Sequence, residues 1–399
     1  MRAWAVWVRS VVCVLAIMMS QQVAHGAPVV TGLSYGMHNE RVRVILTVSE
    51  APVFAAFTLS DPDRLVIDLP ALDWQVPEDQ QREPIPYIAD IRHGLFRRDR
   101  ARIVMDLTRP VEVERIFTQP RQGSEPARLV LDLSPVSRSA FDARSGWPEK
   151  ARWQDTLAVP RRDPGNDKVI VAIDPGHGGI DPGASVGKLT EKIIVLDFSR
   201  RLAEILRAQG RFEPYLTRET DIFVPLSERV ARAHAAGANV LLSIHADFVK
   251  EGVANGISVY TLSDKGSDDA AEALAARENR ADVIAGADLG GETDDLTRML
   301  VELAQRGTGI ESTRLAESVL GTLGKELELL RTQPHRQANF RVLKAPDIPS
   351  VLLELGFLNS ERDQKRLADP KWLDAAARAL ADGIEDWADA ANPGFLRPK

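Results

Sequence analysis

Cysteine is nearly absent from this chain of 399 residues, and the single example, Cys13, lies in an apolar stretch near the N-terminus. Disulfide bonds and thiolate clusters therefore cannot support the fold or a metal site. Any metal site in this chain must be built from His, Asp and Glu side chains.

An excess of positive charge is also lacking, since 50 Lys and Arg residues stand against 57 Asp and Glu residues. The formal net charge is −7 at neutral pH. Because nucleic-acid binding relies on basic surfaces, a nucleic-acid partner is not expected.

A long apolar run is missing as well. The apolar stretch Val11–Met19 is too short to span a bilayer comfortably. Arg2 and Arg9 flank it on one side and small residues near Gly26 on the other, which is the pattern of a cleaved signal peptide. We therefore predict a signal peptide over residues 1–26 and no membrane span after its cleavage. An uncleaved membrane anchor is the less favoured alternative.

Residues 28–135 contain mainly strand patterns, with a weak internal repeat. "RVRVILTVSEAPV" (Arg41–Val53) is similar to "RARIVMDLTRPVEV" (Arg100–Val113), and "DRLVIDLP" (Asp63–Pro70) is similar to "ARLVLDLSP" (Ala127–Pro135). Two similar halves of alternating β-branched residues predict a small all-β sandwich. Residues 136–166 are rich in Pro, Arg and Asp without a sustained period, which predicts a linker.

Residues 167–392 alternate strand and helix patterns. The apolar runs "KVIVAI", "NVLLSI" and "SVLLEL" are typical of strands covered on both faces. The predicted fold class is therefore α/β, with a mixed, largely parallel sheet flanked by helices. "FRVL" (Phe340–Leu343) is predicted as one further strand of this sheet.

Ionisable residues stand where these strands end. His177 follows the first strand within "IDPGHGGIDPGA", His245 ends "NVLLSIH", and Glu354 lies near the end of "SVLLEL". In open α/β sheets, ligands gather at the carboxyl ends of the strands, and Glu191, at the start of the next helix, faces the same edge. Two imidazoles and a carboxylate are a ligand set typical of catalytic zinc.

Glu354 is expected to play a different part from Glu191. Its apolar neighbours predict a buried carboxyl group with a raised pKa, suited to proton transfer at neutral pH. Taken singly, each of these histidines and glutamates could instead be structural; their joint placement favours a site.

A phosphate-binding loop is the competing interpretation of the glycine-rich region. "GASVGKLT" (Gly183–Thr190) resembles a P-loop, but it is one residue short between its glycines. Leu189 also occupies the position where Ser or Thr would bind magnesium. A nucleotide site is therefore disfavoured.

The combination of "IDPGHGGIDPGA", "TEK" (Thr190–Lys192), "SIHAD" (Ser243–Asp247) and "APDIPSVLLELGFLNS" (Ala345–Ser360) resembles the zinc-dependent N-acetylmuramoyl-L-alanine amidases. The β region upstream looks like the AMIN domain that often precedes this catalytic domain. The resemblance implies a periplasmic enzyme that cuts the amide between N-acetylmuramic acid and L-alanine in peptidoglycan. It further implies a role in splitting the septal wall as daughter cells separate.

The resemblance also implies roles for individual residues. His177, Glu191 and His245 would bind one Zn²⁺ per chain, and Glu354 would be the catalytic carboxylate. No substrate-binding residue is predicted. The alternatives are a non-catalytic peptidoglycan-binding or activator protein, or a zinc hydrolase acting on another amide bond.

A long stretch without a predicted strand, from about Ser263 to Thr332, carries helical signals interrupted by glycines. By pattern alone it is a solvated surface helix followed by a scaffold helix. The resemblance implies instead a regulatory helical insertion at about 265–310, in which a glutamate occupies the open zinc position until a LytM-domain activator displaces it. We predict that this residue is Glu278, with Glu272 as the alternative.

Two other features have weaker interpretations. The arginine-rich "DIRHGLFRRDRAR" (Asp90–Arg102) either contacts the anionic wall or forms a solvated hairpin. His335 either assists at the rim of the site or is simply exposed.

Overall fold

The computed structural model describes residues 28–146, 168–248, 254–286 and 295–391. The signal peptide predicted over residues 1–26 and the predicted linker from residue 147 onward lie outside the described residues. Within the described ranges, none of the helices combines the length and apolar character needed to cross a membrane.

The N-terminal domain, residues 28–146, is built from two β-sheets with short helices beside them. Its elements are β1 (Val29–His38), β2 (Arg41–Val48), β3 (Ala55–Leu59), β4 (Arg64–Pro70), β5 (Asp73–Trp74), α1 (Glu78–Arg82), β6 (Ile88–Arg97), β7 (Arg100–Leu107), β8 (Val111–Gln119), β9 (Ala127–Pro135) and α2 (Arg138–Asp142). One sheet has the order β5-β1-β2-β9-β8 and the other β3-β4-β7-β6. The predicted all-β domain is confirmed.

The internal repeat of the sequence corresponds to the central strands of these sheets. The first repeated motif forms β2 and β7, and the second forms β4 and β9. Antiparallel pairing joins β2 to β9 and β4 to β7, which places Arg43 opposite Asp132 and Arg102 opposite Asp68. Each pair makes two charge-assisted hydrogen bonds of 2.6 to 2.8 Å. Each sheet therefore has one strand of each motif at its centre.

The two sheets differ in what covers them. Inward and outward residues alternate in β2, whereas the first six residues of β4 are all buried. Leu65 and Ile67 of β4 enter the core of the sandwich, while Val66 on the opposite face packs in a cluster with Ile180 and Phe223. The outer face of the second sheet is therefore covered by the C-terminal domain.

The C-terminal domain, residues 168–391, is an α/β unit. Its elements are β10 (Val169–Pro175), β11 (Ser185–Val186), β12 (Leu189–Thr190), α3 (Glu191–Ala208), β13 (Phe212–Leu216), α4 (Leu226–Ala235), β14 (Val240–His245), β15 (Ser258–Leu262), α5 (Asp269–Glu278), α6 (Ala281–Ile284), α7 (Asp295–Glu326), β16 (His335–Ala338), β17 (Ser350–Glu354), α8 (Glu361–Leu367) and α9 (Pro370–Ala390). The main sheet has the order β13-β10-β14-β17-β15-β16.

Strands β13, β10, β14 and β17 are parallel to one another, while β15 and β16 are parallel to each other and antiparallel to those four. Helices α3, α7 and α9 bury their apolar faces against one side of the sheet. The other side packs against α4 through residues such as Ile170 and Ala233. The predicted mixed, largely parallel sheet flanked by helices is confirmed.

Three sequence predictions differ from the structure. Phe340–Leu343 was expected as a strand, but Arg341–Leu343 form a short 3-10 helix. The edge strand β16 lies upstream. Phe340 packs edge-on against Tyr260, which favours the helical turn. Part of the expected linker forms α2, and its end is tied to the N-terminal domain by the Gly146 amide, which donates to Thr58. The expected insertion at about 265–310 ends inside α7, a helix whose later turns belong to the main core.

Candidate metal and active site

The glycine-rich turn after β10 brings His177 to the carboxyl edge of the sheet. Glycine is required there because a Cβ on Gly176 would lie 2.7 Å from Nε2 of His245. A Cβ on Gly183 would lie 2.6 Å from Oε2 of Glu191. Both distances are shorter than van der Waals contact, so these glycines make room for neighbouring side chains of the site.

The other predicted residues arrive from three separate elements. His245 ends β14 and lies in register with Glu354 at the end of β17, while Glu191 is the first residue of α3. Their residual exposures are 5% for His245 and 0% for the two glutamates, and that of His177 is 8%. The structure therefore brings the four predicted residues to one buried edge.

One carboxylate oxygen links the two imidazoles. Oε1 of Glu191 lies 3.2 Å from Nε2 of His177 and 3.2 Å from Nδ1 of His245. Glu191 also accepts backbone hydrogen bonds from Ala184 at 2.8 Å and from Ala246 at 2.9 Å. Glu191 is thus fixed in place by groups that do not depend on the histidines.

Carboxylates behind the histidines orient both rings. Nδ1 of His177 donates to Asp181 at 2.8 Å. The Ser243 hydroxyl donates to Asp174 at 2.9 Å and therefore accepts from Nε2 of His245, 3.3 Å away. With that nitrogen held by its partner, each neutral ring would offer its other nitrogen, the one facing Glu191, as a ligand atom, which is the arrangement that metal-binding histidines have.

Asp174 and Asp181 were not assigned roles by the sequence analysis. Both lie in "IDPGHGGIDPGA", and the only signal for Asp181 is its spacing of four residues from His177. Asp174 reaches His245 only through Ser243, which is 69 residues away in sequence, so no local pattern reveals that connection.

Charges around the cluster shift the pKa values of its members. Burial lowers the pKa of His177, but Asp181, Glu191 and Glu278 more than offset this and raise it well above its usual value. Burial raises the pKa of Glu191, but the two histidines outweigh it and bring the value well below its usual range. The cluster therefore favours a bound positive charge.

Glu354 lies beside the cluster in a different electrostatic state. Burial, offset only in part by His245, raises the pKa of Glu354 to about 8. Its Oε2 accepts from the Asp247 amide at 3.0 Å, while its Oε1 has no hydrogen-bond partner among the described residues. A carboxyl group in this state exchanges protons near neutral pH, as the sequence analysis expected.

Glu278 completes the cluster from the opposite side. It is the last residue of α5, it is 5% exposed, and its Oε2 lies 3.4 Å from Nε2 of His177 and 3.2 Å from Nδ1 of His245. The alternative residue, Glu272, is exposed and accepts from the Gly266 amide. The structure therefore brings Glu278, and not Glu272, to the histidines.

Glu278 and Glu191 are held very differently. Oε1 of Glu278 is buried and has no hydrogen-bond partner in the described parts of the chain. The preceding residue, Arg277, pairs with Asp247 and donates to the carbonyl of Phe248. Glu278 is thus positioned by its helix and by Arg277 rather than by direct bonds to the scaffold.

A cavity of about 570 Å³ lies beside the cluster, between the two domains. His177, Asp181 and Glu278 line one part of it, and Arg64 and Arg92 of the N-terminal domain line another. The arginine-rich stretch of residues 90–102 is therefore not simply a solvated hairpin. His335, on the edge strand β16, contacts the Thr261 hydroxyl of the neighbouring strand β15 at 3.0 Å.

The fold and the site together define a class: an α/β domain with a buried centre of imidazoles and carboxylates at the carboxyl edge of its sheet. His177, His245 and Glu278 each offer a ligand atom, and these atoms lie within 4.8 Å of one another. A site of this composition suits a metal-dependent hydrolase.

Comparisons with known proteins define the family. Residues 171–386 match the N-acetylmuramoyl-L-alanine amidase family, and residues 34–133 match the AMIN domain. The chain is 34% identical over 382 residues to N-acetylmuramoyl-L-alanine amidase AmiC of Neisseria meningitidis serogroup B, covering 90% of each protein. It is 33% identical over 408 residues to the AmiC amidase of Escherichia coli O6:H1, covering 98% of this chain and 95% of that one.

A solved structure, amidase AmiC2 of Nostoc punctiforme, is 29% identical and covers 55% of this chain and 97% of its own, with a TM-score of 0.42. From the family match and the AmiC relatives, the chain belongs to the N-acetylmuramoyl-L-alanine amidases and carries an N-terminal AMIN domain. The family expected from the sequence motifs is confirmed.

Proposed function

We propose that this chain is a zinc-dependent, autoinhibited amidase that cuts the bond between the lactyl group of N-acetylmuramic acid and L-alanine. The observation that carries the proposal is the convergence of His177, His245 and Glu191 in one buried cluster, with the protonatable Glu354 beside it. A binding or activator protein would not need a carboxyl group with a raised pKa at this position.

The donor set fits zinc. Ligand atoms bonded at about 2.0–2.1 Å to a tetrahedral zinc ion stand about 3.3 Å apart. Oε1 of Glu191 lies 3.2 Å from each facing imidazole nitrogen. The Nε2 atom of His177 is buried without a hydrogen-bond partner in the described ranges, as a ligand atom awaiting a metal would be. One zinc ion per chain would be held by His177, Glu191 and His245.

The chain's own residues handle the protons of the reaction. When bound, zinc acts as a Lewis acid that lowers the pKa of water and polarises the scissile carbonyl. Glu354 accepts a proton as the water oxygen attacks the carbonyl carbon. It then delivers that proton to the nitrogen of L-alanine as the carbon–nitrogen bond breaks. Asp181 and Ser243 keep the histidine rings in the orientation that this chemistry needs.

Glu278 supplies the inhibition. Its Oε2 lies 3.4 Å and 3.2 Å from the imidazole nitrogens that Glu191 approaches at 3.2 Å, so a zinc ion at this cluster would have Glu278 as its fourth ligand. We call residues 269–286 the blocking segment; it comprises α5, α6 and the two residues after α6. Hydrolysis requires this segment to move, and a LytM-domain activator is the expected cause of that movement.

The cellular setting follows from the sequence. The signal pattern of residues 1–26 supports export to the periplasm, where peptidoglycan is the substrate. An activated amidase of this kind would split the septal wall between daughter cells. The AMIN domain is proposed to accompany the catalytic domain there.

The test combines metal analysis with analysis of the products. Purified mature protein carrying Glu278→Ala, to remove the inhibition, is expected to bind one zinc ion and to release stem peptides with a free L-alanine amino end from peptidoglycan. Adding His177→Ala is expected to remove both the zinc and the release. A zinc-loaded Glu278→Ala protein that releases no peptide, even with a LytM-domain protein present, would favour the non-catalytic alternative.

A further inference from the structure

Three arginines of the N-terminal domain reach the end of the blocking segment. Arg64 of β4 donates to the carbonyl of Val283, and Arg92 of β6 donates to the carbonyl of Ile284. Arg102 of β7 donates to the carbonyls of the next two residues, at 3.2 Å and 2.6 Å. Four consecutive carbonyls are thus bound by side chains from one sheet.

These carbonyls lie at the end of α6 and in the two residues after it, and that of Val283 also accepts from the Gly286 amide at 3.0 Å. Helix α6 ends at Ile284, and Gly286 follows with a φ of +61°, the left-handed conformation that commonly terminates helices. The last carbonyls of a helix lack partners within it and carry a partial negative charge, which guanidinium groups complement. The three arginines therefore match the end of α6 in both hydrogen bonding and charge.

The arginines are held rigidly in position. Arg102 is fully buried and is bound by both oxygens of Asp68, at 2.6 Å and 2.8 Å. Arg92 is bound by Asp106 at 2.5 Å. These ion pairs restrict Arg92 and Arg102 independently of the carbonyls, which lowers the ordering cost of the contact.

Apolar packing surrounds the polar contact. Ala285 is fully buried in a cluster with Phe57, Leu59, Val66 and Val104 of the same sheet. In the equivalent strand pair of the other sheet, Asp132 is buried but the side chain of Arg43 remains 47% exposed. An ion pair of this type therefore forms without burial of its arginine. The buried outer face of the second sheet is specialised for packing against the C-terminal domain.

The bound carbonyls lie five to eight residues after Glu278. The intervening chain includes α6, and Asp282 within it accepts from the Leu226 amide at 2.8 Å. With so short a connection, holding the end of the segment restricts the position of Glu278 at its middle.

We propose that the N-terminal domain has a regulatory function as a latch: its three arginines hold the end of the blocking segment and thereby keep Glu278 over the histidines. This latch rests on the proposed inhibition by Glu278. It gives the domain a role separate from any contact with the cell wall.

Hydrogen exchange of the full-length mature protein tests the latch. The double variant Arg64→Ala/Arg92→Ala is expected to exchange the amides of residues 269–286 about tenfold faster or more, because local opening becomes easier. Amides of β2 and β9 are expected to be unchanged, which reports an intact domain. The matched control is Arg41→Ala, since Arg41 pairs with Glu114 at 2.6 Å on the other sheet.

A second variant approaches the contact from the segment side. Gly286→Val leaves the arginines in place but strains the left-handed residue, and its Cβ would stand 3.1 Å from Val66. It is expected to accelerate the same amides. Both variants are expected to raise basal hydrolysis several-fold, and neither is expected to raise it further in a protein that already carries Glu278→Ala.

The outcomes separate the latch from the proposed function. Unchanged exchange in both variants overturns the latch, even if Glu278→Ala hydrolyses peptidoglycan. Faster exchange with unchanged hydrolysis, beside an active Glu278→Ala protein, also overturns it, because the contact would not control Glu278. If exchange is faster but every zinc-loaded variant is inert, the result supports the contact between the arginines and the segment. In that case only the proposed function fails.

Discussion

Two carboxylates of the site, Glu191 and Glu354, are both fully buried, yet their protonation preferences are opposite. Glu191 stands between two imidazoles, which lower its pKa, while burial brings the pKa of Glu354 to about 8. Glu191 is therefore kept as an anion that can bind a cation, and Glu354 is able to exchange a proton near neutral pH.

Glu354→Gln tests the proton-transfer role at the residue scale. The substitution keeps the shape and the acceptor for the Asp247 amide but removes the exchangeable proton. In the Glu278→Ala background, kcat is expected to fall about 100-fold or more, with zinc content unchanged. Kinetics on purified peptidoglycan together with elemental analysis measure both quantities. Retention of most of the activity would exclude Glu354 as the proton carrier.

The sequence predicts residues of the site where geometry is set by strand ends. His177, His245 and Glu354 follow or end apolar strands, so a parallel sheet places them at one edge. Asp174 escaped prediction because it acts through Ser243 on a neighbouring strand. Pairing between strands distant in sequence leaves no local pattern to read.

At the scale of elements, α5 places Glu278 beside the histidines and leaves Glu272 at the surface. Glu278 ends the helix in a buried position, and Glu272 stands exposed in its first turn. The helix is capped at its N-terminus by Asp268, whose side chain accepts from the Ala271 amide at 2.9 Å. The cap sets where the helix starts and so contributes to where its last residue lies.

Glu278→Ala and Glu272→Ala form a matched pair on this helix. Removing Glu278 is expected to raise basal peptidoglycan hydrolysis by about tenfold or more, since a ligand-to-metal contact worth a few kcal/mol is lost. Glu272→Ala is expected to leave the basal rate near that of the wild type. Dye-release assays without activator compare the three proteins. Equal rates for all of them would contradict the assignment of Glu278.

Strands were predicted correctly where the sequence has long apolar runs and incorrectly where the run is short. The buried strands β10, β14 and β17 match continuous apolar runs. The four-residue run Phe340–Leu343 satisfies either a strand or a turn of helix, and packing of Phe340 on Tyr260 decided between them. Tertiary contact of this kind cannot be read from so short a segment.

At the scale of the molecule, the two domains share a buried interface. The Phe223 amide donates to the carbonyl of Leu95 at 3.0 Å, and Arg97 approaches Glu228 at 3.5 Å. The sequence predicted both domains but not their contact. No local pattern signals it, since "RLVIDL" in β4 of the covered sheet is nearly the same as "RLVLDL" in β9 of the other sheet.

The pH dependence of stability belongs to this scale. His93, stacked on Trp74 at a centroid distance of 3.9 Å, has a pKa lowered from 6.5 to about 4, mainly by burial and also by Lys192 of the other domain. The unfolded chain therefore binds a proton at a higher pH than the folded protein does. The contribution of His93 is complete above pH 6.5 and is lost as the pH falls toward 4.

Urea unfolding of wild type and His93→Gln measures this effect. Between pH 6.5 and pH 4, the wild type is expected to lose up to about 3 kcal/mol more free energy of unfolding than the variant. His234→Gln is the control, since His234 has a side chain that is 65% exposed. Parallel pH profiles for wild type and His93→Gln would show that His93 is not the titrating group.

The five-residue spacing between Glu278 and Val283 sets the reach of any opening signal. A helical path of that length covers about 7.5 Å, so the segment has little slack in which a displacement of its end could be lost. Withdrawal of the end of α6 from the arginines would therefore carry Glu278 with it. Arg64, Arg92, Val283 and Ile284 line the same cavity as His177 and Glu278, so release of the segment and entry of the glycan strand would share one opening.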